Sequence, residues 1–217
     1  MPSINLLHID CMEYMATLPD NAFQLAIVDP PYGINVQKQR TNSHRKTEKW
    51  TNPLEYNYKP FDDSMPPSSD YFIQLMRVSV NQIIWGGNYF CLPPSSGWIV
   101  WDKKVDPKEH LSMCELAWSS FNKRLLKFEF LWAGFKKAEQ VVRIHPTQKP
   151  VKLYEWLLKN YAKEGDRILD THLGSGSSAI AAHYAGFDFT GCELDEDYYK
   201  AACKRFDHET KQQALAL

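Results

Sequence analysis

Three groups of polar residues, each beside a stretch that can form a strand or helix, carry the chemistry in this sequence. The first is Asp29-Pro30-Pro31-Tyr32-Gly33, directly after the apolar run Phe23 to Val28. Two prolines fix the backbone and remove two N–H donors, which leaves carbonyl oxygens and one carboxylate to accept hydrogen bonds. With the Tyr32 ring alongside, this acceptor group suits a planar ligand bearing an amine: the amine donates while the ring stacks on the plane. The second group is Asp170-Thr171-His172-Leu173-Gly174-Ser175-Gly176, between a strand and a helix. Its glycines let backbone approach a ligand closely, and the following helix offers free N–H groups at its start. Glu193, 17 residues after Gly176, ends the next strand, where a carboxylate can accept both hydroxyls of a ribose. The third is His145-Pro146-Thr147-Gln148-Lys149-Pro150, ahead of a helix at Val151. Its prolines hold polar side chains at low entropic cost, and Lys149 is a natural partner for a ligand carboxylate.

Each group alone has a plainer reading, as a proline turn, a glycine turn or a helix-entry loop. The glycine turn with Ala179 also satisfies a relaxed dinucleotide-binding pattern, although it comes too late to leave chain for a second nucleotide-binding half.

The elements that must position these groups alternate between strand and helix. Ile4 to Ile9 reads as a strand, Cys11 to Thr17 as a helix, and Phe23 to Val28 as a strand buried on both faces. Tyr71 to Val80 reads as a helix and Gln82 to Trp85 as a strand, closed by the turn Gly86-Gly87-Asn88. Trp98 to Trp101, Glu115 to Ser119 and Phe128 to Trp132 are aromatic-rich strand candidates, and the lack of helices between the later ones suits an antiparallel pair. Val151 to Ala162, Ser177 to Ala185 and Glu196 to about Gln212 read as helices, with strands at Arg167 to Asp170 and Phe187 to Cys192. The pattern predicts an α/β fold, a mainly parallel sheet with helices on both faces, in one domain over residues 1–217. In such sheets ligands bind beyond the carboxyl ends of the strands, where the polar groups fall.

Residues 34–66 lack periodicity and are expected to form a mobile loop. Between Gln37 and Trp50 this segment carries Lys38, Arg40, Arg45, Lys46 and Lys49 against Glu48, a local charge of +4. The chain as a whole has a net charge of −1, but phosphate contacts come from local patches and not from the sum. A hydrophobic content of 44% in 217 residues supports a full core and excludes a disordered chain. No run approaches a membrane span and no leader opens the chain, so a cytoplasmic protein without membrane contact is expected. Five widely spaced cysteines without a C-x-x-C pair predict reduced thiols and no metal site.

The order D-P-P-Y-G, H-P-T-Q-K-P, D-T-H-L-G-S-G-S and G-C-E-L-D, with the opening H-I-D-C-M-E-Y and the stretch I-I-W-G-G-N-Y-F, spans nearly the whole chain. In this the sequence resembles the β group of amino-DNA methyltransferases, in which the catalytic motif precedes the cofactor motif. In size and layout it is similar to small phage or prophage adenine-specific DNA methylases, which implies a bacterial or phage origin and a restriction–modification setting. The resemblance implies a Rossmann-like S-adenosylmethionine-dependent methyltransferase fold with a seven-stranded sheet. The motif order would be circularly permuted, with Arg167 to Asp170 as the first cofactor strand. It implies methyl transfer from S-adenosylmethionine to the exocyclic amine of adenine, N6, in double-stranded DNA. Asp29, Pro30, Pro31 and Tyr32 would hold the target base, Asp29 also touching the methionine amine of the cofactor. Asp10 and Cys11 would border the cofactor's adenine and Glu193 its ribose. Asp170, His172, Gly174, Ser175 and Gly176 would lie against the cofactor, and Lys149, with His145 or Thr147, would hold its methionine end.

The chain departs from the family at Thr171-His172, where Pro-Phe is common. His172 still offers a flat face, and direct transfer to an amine needs no catalytic imidazole there. A leading Ser would point towards cytosine, so Asp29 favours adenine. A cytosine amine, an RNA base or a non-catalytic DNA-binding partner subunit are the alternatives. The basic loop is the candidate DNA contact, and the scarcity of other chain for recognition suggests a short target or a second subunit, as in a homodimer.

Overall fold

The computed structural model of the protein describes residues 1–35, 62–108, 112–133, 136–138 and 141–213. The first half holds β1 (Ile4–His8), α1 (Cys11–Ala16), β2 (Phe23–Val28), α2 (Ser69–Val78) and β3 (Ser79–Trp85). Next come β4 (Ile99–Asp102), β5 (Cys114–Ser119), β6 (Leu126–Glu129) and a short ribbon of β7 (Trp132–Ala133) with β8 (Lys136–Lys137). The chain closes with α3 (Val151–Tyr161), β9 (Arg167–Asp170), α4 (Ser177–Ala185), β10 (Asp188–Glu193) and α5 (Glu196–Gln213).

Among the described residues the main sheet has eight strands in the order β1-β10-β9-β2-β3-β5-β4-β6. Only β5 runs against its neighbours; β6 lies parallel to β4 at the edge. The expected mainly parallel α/β sheet is therefore present, with eight strands where the resemblance implied seven. The extra strand is β6, which the residue pattern had marked around Phe128; its alternation of half-buried Leu126 and Phe128 with exposed Lys127 and Glu129 suits an edge position. Helix α2 passes straight into β3 without a turn residue, two residues before the expected end of the helix. The Ser79 hydroxyl donates to the Leu75 carbonyl at this junction and occupies an acceptor at the helix end.

The apolar runs are buried on both faces, which explains their lack of alternation. Leu25 and Ile27 of β2 point into a core shared with Ile83, Trp85, Ile168 and the α3 residues Leu153 and Leu157. Ala26 and Val28 point the other way, into a core with Met15, Tyr71, Leu75, Val78 and Ile84. At roughly 2 kcal/mol for each fully buried large apolar side chain, these two layers hold the strands in register.

The direction in which successive strands are added reverses at the middle of the sheet. From β9 the chain crosses through α4 to β10, on one side, and from β2 it crosses through α2 to β3, on the other. β9 and β2 are parallel neighbours, paired through Leu25 with Ile168 and Ala26 with Leu169. This is the topological switch point at which open α/β sheets leave a crevice for ligands.

Candidate active site

Asp29 follows β2 and Asp170 ends β9, so the two carboxylates stand on either side of the switch point. Asp29 is mostly buried and both of its oxygens are engaged. Oδ1 accepts the Tyr32 hydroxyl at 2.6 Å, and Oδ2 accepts the Lys149 ammonium at 2.6 Å. Lys149 Nζ also donates to the Tyr32 hydroxyl at 3.3 Å and lies 3.2 Å from Glu115 Oε2. The other Glu115 oxygen pairs with Lys103. Burial works against the charge on Lys149, but Asp29 and Glu115 outweigh it and keep the ammonium protonated. Burial pushes the Asp29 carboxyl above its ordinary value, with Lys149 opposing, so it takes a proton more readily than a free aspartate. Glu115 is held down to about 2, because the attraction of Lys149 and Lys103 overcomes its burial.

The Tyr32 ring is clamped in place. It stacks on Tyr89 at 5.1 Å between centroids and lies over Gly86, where a Cβ would fall 2.2 Å from Tyr32 Cε1. Gly86 has φ +68°, so the turn after β3 needs glycine for its backbone and for the ring. Gly33, just after the tyrosine, donates its N–H to Asp63 Oδ1 at 3.0 Å, and Asn35 N–H donates to the Asp63 carbonyl. The two ends of the loop expected at 34–66 are thus tied together. Its basic residues Lys38, Arg40, Arg45, Lys46 and Lys49 lie outside the described residues.

On the β9 side, the glycine turn runs through Gly174 and Gly176, both at positive φ. Glu193 Oε2 accepts the Gly174 N–H at 2.8 Å and Oε1 accepts the Asp195 N–H at 3.0 Å, so the carboxylate is fixed against the turn with acceptor capacity left on each oxygen. Pairing of His8 with Glu193 across β1 and β10 brings Asp10 and Cys11 to the same rim. Asp10 caps α1 by accepting the Met12 N–H at 2.7 Å, and burial pushes the Cys11 thiol up to about 12, which keeps it protonated. The Asp170 carboxyl accepts from Ser178 Oγ and the His172 N–H, and burial raises it to about 7. His145 is buried over Gly174, its Nδ1 3.0 Å from the Thr147 hydroxyl, and burial with the nearby Lys149 charge lowers it to about 4. His172 contacts Thr171 Oγ1 through Nδ1 at 2.9 Å and packs edge-on to Tyr71; burial lowers it to about 4 as well. Both imidazoles are neutral at pH 7. Among the described residues no cluster of His, Cys, Asp or Glu could hold a metal ion.

The residues expected at base and cofactor therefore meet around the β2–β9 switch point, among the described residues. Residues 95–204, half of the chain, match the family model described as DNA methylase. The chain belongs to the DNA methylase family. It is 26% identical over 242 residues to the Type II methyltransferase M2.DpnII of Streptococcus pneumoniae, covering 95% of this chain and 90% of that one. Its fold matches that of an M1.HpyAVI–SAM complex with TM-score 0.54 and 18% identity, covering 93% of this methylase and 99% of that chain. It also matches the cytosine-N4-specific PvuII DNA methyltransferase with TM-score 0.59 and 14% identity, covering 95% and 87%.

Several residues of the methylase's crevice gave no local sequence signal. Glu115 reads as one charge in an aromatic-rich strand, and only the insertion of antiparallel β5 beside β3 brings it to Lys149. Tyr89 lies in the quoted stretch ending at Phe90, but its role under Tyr32 depends on the turn at Gly86. Arg205, in the charged helix α5, is buried and donates to the Ser175 carbonyl at 3.0 Å and to Ser177 Oγ at 2.9 Å. Ser177 Oγ in turn donates to the Lys149 carbonyl at 2.8 Å, which joins the glycine turn to the lysine segment.

Proposed function

We propose that this DNA methylase transfers a methyl group from S-adenosylmethionine to N6 of an adenine in double-stranded DNA. The observation that carries the reading is the meeting of Asp29, Tyr32 and Lys149 at the switch point, beside the glycine turn and Glu193. The residues present fit the cofactor. Glu193 offers acceptors for a ribose diol, Gly174 and Gly176 open the backbone, and Asp10 with Cys11 closes the rim, while Lys149, expected at the methionine end, is paired in the structure with Asp29 and Glu115. The M1.HpyAVI–SAM complex shares this fold.

When bound, S-adenosylmethionine supplies an electrophilic methyl whose S–C bond breaks with its electron pair left on sulfur as the amine nitrogen attacks. Asp29 and the Pro30 carbonyl accept the amine N–H groups and draw the nitrogen lone pair out of conjugation. Attack leaves one proton too many on that nitrogen, and Asp29, raised by burial, receives it. Tyr32 stacks on the flipped base, a contact of roughly 1–3 kcal/mol. The base must leave the duplex because its amine is otherwise buried in pairing. Asp29 as the leading residue favours adenine; methylation of cytosine N4, the specificity named for PvuII methyltransferase, is the second reading.

The basic residues from Lys38 to Lys49 contact the DNA backbone in this reading, and a homodimer would add recognition surface. Among the described residues no helix is long and apolar enough to cross a membrane. Sequencing DNA from cells expressing the protein, with modified-base detection, tests the function directly. N6-methyladenine at a short repeated site is expected, abolished in Asp29→Ala; N4-methylcytosine would replace the adenine reading, and no modified base would refute both.

A further inference from the structure

The crevice contains a second carboxylate that the transfer chemistry above does not use. Glu115 enters it from β5, opposite Asp29, and the Lys149 ammonium stands between the two, 2.6 Å from Asp29 Oδ2 and 3.2 Å from Glu115 Oε2. Glu115 Oε2 is buried and accepts no aligned hydrogen bond among the described residues, so it has acceptor capacity to spare. Its other oxygen is anchored by Lys103, which keeps the carboxylate in place at the end of β4.

The arrangement on Asp29 poses a problem for a group that must grip an amine. Tyr32 occupies Oδ1 and Lys149 occupies Oδ2. An ammonium on a carboxylate oxygen repels an incoming N–H and weakens that oxygen as a proton acceptor. Lys149 must therefore yield Asp29 when the target amine arrives. It is only 5% exposed, and a buried ammonium stripped of its partner is strongly disfavoured. Glu115 removes the difficulty, because it offers the same ammonium a second carboxylate within a short swing of the lysine side chain.

On the reading given under the proposed function, we propose that Glu115 is a positioning residue for methyl transfer, accepting the Lys149 ammonium when the target amine takes Asp29. Glu115 acts through Lys149 and touches neither base nor cofactor. The exchange moves no covalent bond and no proton: one ion pair replaces another, and the charges of Asp29, Glu115, Lys149 and Lys103 continue to cancel.

The test compares Glu115→Gln with Glu115→Asp in the full-length protein, using a duplex that the parent methylates. Glu115→Gln keeps the shape and removes the charge, so Lys149 stays on Asp29. The expected result is a kcat lower by about ten-fold or more, with KM for DNA and Kd for S-adenosylmethionine within about three-fold of the parent. The acid limb of the kcat profile should also move to lower pH, because a negative charge that raises Asp29 is gone. The charged and titratable groups facing Asp29 and Lys149 are Tyr32, Tyr154, His145, Asp170, Glu115 and, behind Glu115, Lys103. Glu115→Asp retains the charge and should keep the acid limb in place and recover most of the rate; it also carries the test should Glu115→Gln not fold. Parent kcat in Glu115→Gln would overturn the proposal. So would a loss of rate that comes with a lowered Tm and an unmoved acid limb, or a Glu115→Asp variant as slow as Glu115→Gln. If the product proves to be N4-methylcytosine, the adenine assignment fails, but the exchange at Glu115 still reads out, since it requires only an exocyclic amine.

Discussion

Replacing Gly86 with alanine should displace Tyr32 and cost both stability and activity. Gly86 sits at φ +68°, so any side chain there carries left-handed strain of about 1–2 kcal/mol. The added Cβ would also stand 2.2, 2.5 and 2.7 Å from three atoms of the Tyr32 ring, too close for any of them to stay. The ring cannot slide freely, because Tyr89 stacks on it and its hydroxyl is bound to Asp29 at 2.6 Å. Moving the ring far enough to clear the methyl breaks that hydrogen bond, which at a charged acceptor contributes about 1.5–3 kcal/mol. Strain and lost bond together come to about 3–5 kcal/mol, enough to lower Tm by roughly 10 °C in a chain of this size while leaving it folded. Base stacking on the misplaced ring weakens as well, so kcat/KM on duplex DNA should fall by about ten- to a hundredfold. A double-mutant cycle isolates the contact: in a Tyr32→Ala background the clash is absent, and Gly86→Ala should then cost only its backbone strain of about 1–2 kcal/mol. Urea denaturation of the four proteins measures this. A Gly86→Ala protein as stable as the parent, or an equal cost in both backgrounds, would refute the reasoning.

Asp29→Asn keeps the shape of the acceptor but removes its charge and its capacity to take a proton; single-turnover methylation should slow by about a hundredfold or more with DNA binding retained. Arg205→Ala should lower stability by about 3 kcal/mol, since it leaves the Ser175 carbonyl and Ser177 hydroxyl without their buried donor, and calorimetry should show weaker S-adenosylmethionine binding through the loosened glycine turn. His172 is held at about 4 against an ordinary 6.5, so the unfolded chain binds its proton first and stability drains away as pH falls from about 6.5 towards 4. His172→Phe should therefore gain about 2 kcal/mol at pH 5 relative to its effect at pH 7.5, measured as the difference between urea midpoints at the two pH values. Neutralising Arg45 and Lys46 together should weaken DNA binding across sequences and flatten its salt dependence; an unchanged slope would remove that loop from the interface.

The parts of the crevice legible in the sequence were those whose chemistry is encoded locally. Asp29-Pro30-Pro31-Tyr32 and the glycine turn announce themselves because proline and glycine impose backbone conformations that few other residues share. Lys149 stands in its own proline-flanked segment, and Glu193 follows from its offset to the glycine turn. Glu115 and Arg205 carried no such mark, because each matters only through burial against a distant segment. Arg205 lies on a helix rich in charge, where one more arginine reads as solvated surface, yet the fold turns this one inward to the glycine turn. Junctions failed for a related reason. α2 ends where Ser79 begins β3, with neither glycine nor proline, and the change of direction is set by packing of Leu75 and Val78 against the sheet.

The division between base and cofactor halves depends on sheet order and not on chain order. β2 and β9 lie far apart in sequence, one near each end of the chain, yet they are neighbours, and the pairing of Leu25 with Ile168 and Ala26 with Leu169 places Asp29 and Asp170 at adjoining strand ends. Burial is the main reason the Asp170 carboxyl is raised, and the nearby Asp29 charge adds to it. A slip of one residue in this pairing would shift the carboxylates by about 3.3 Å along the strand and exchange the two buried faces of β2. Both faces are apolar, so alternation alone does not forbid that slip; size does. Ala26 is small where Leu25 and Ile27 are large, and Ala26 is fully buried in the core with Met15 and Tyr71, so a slip that put a leucine or isoleucine there would overpack that core. The register that aligns the donor and acceptor halves of the reaction is thus held by an alanine in the middle of a strand that otherwise reads as featureless.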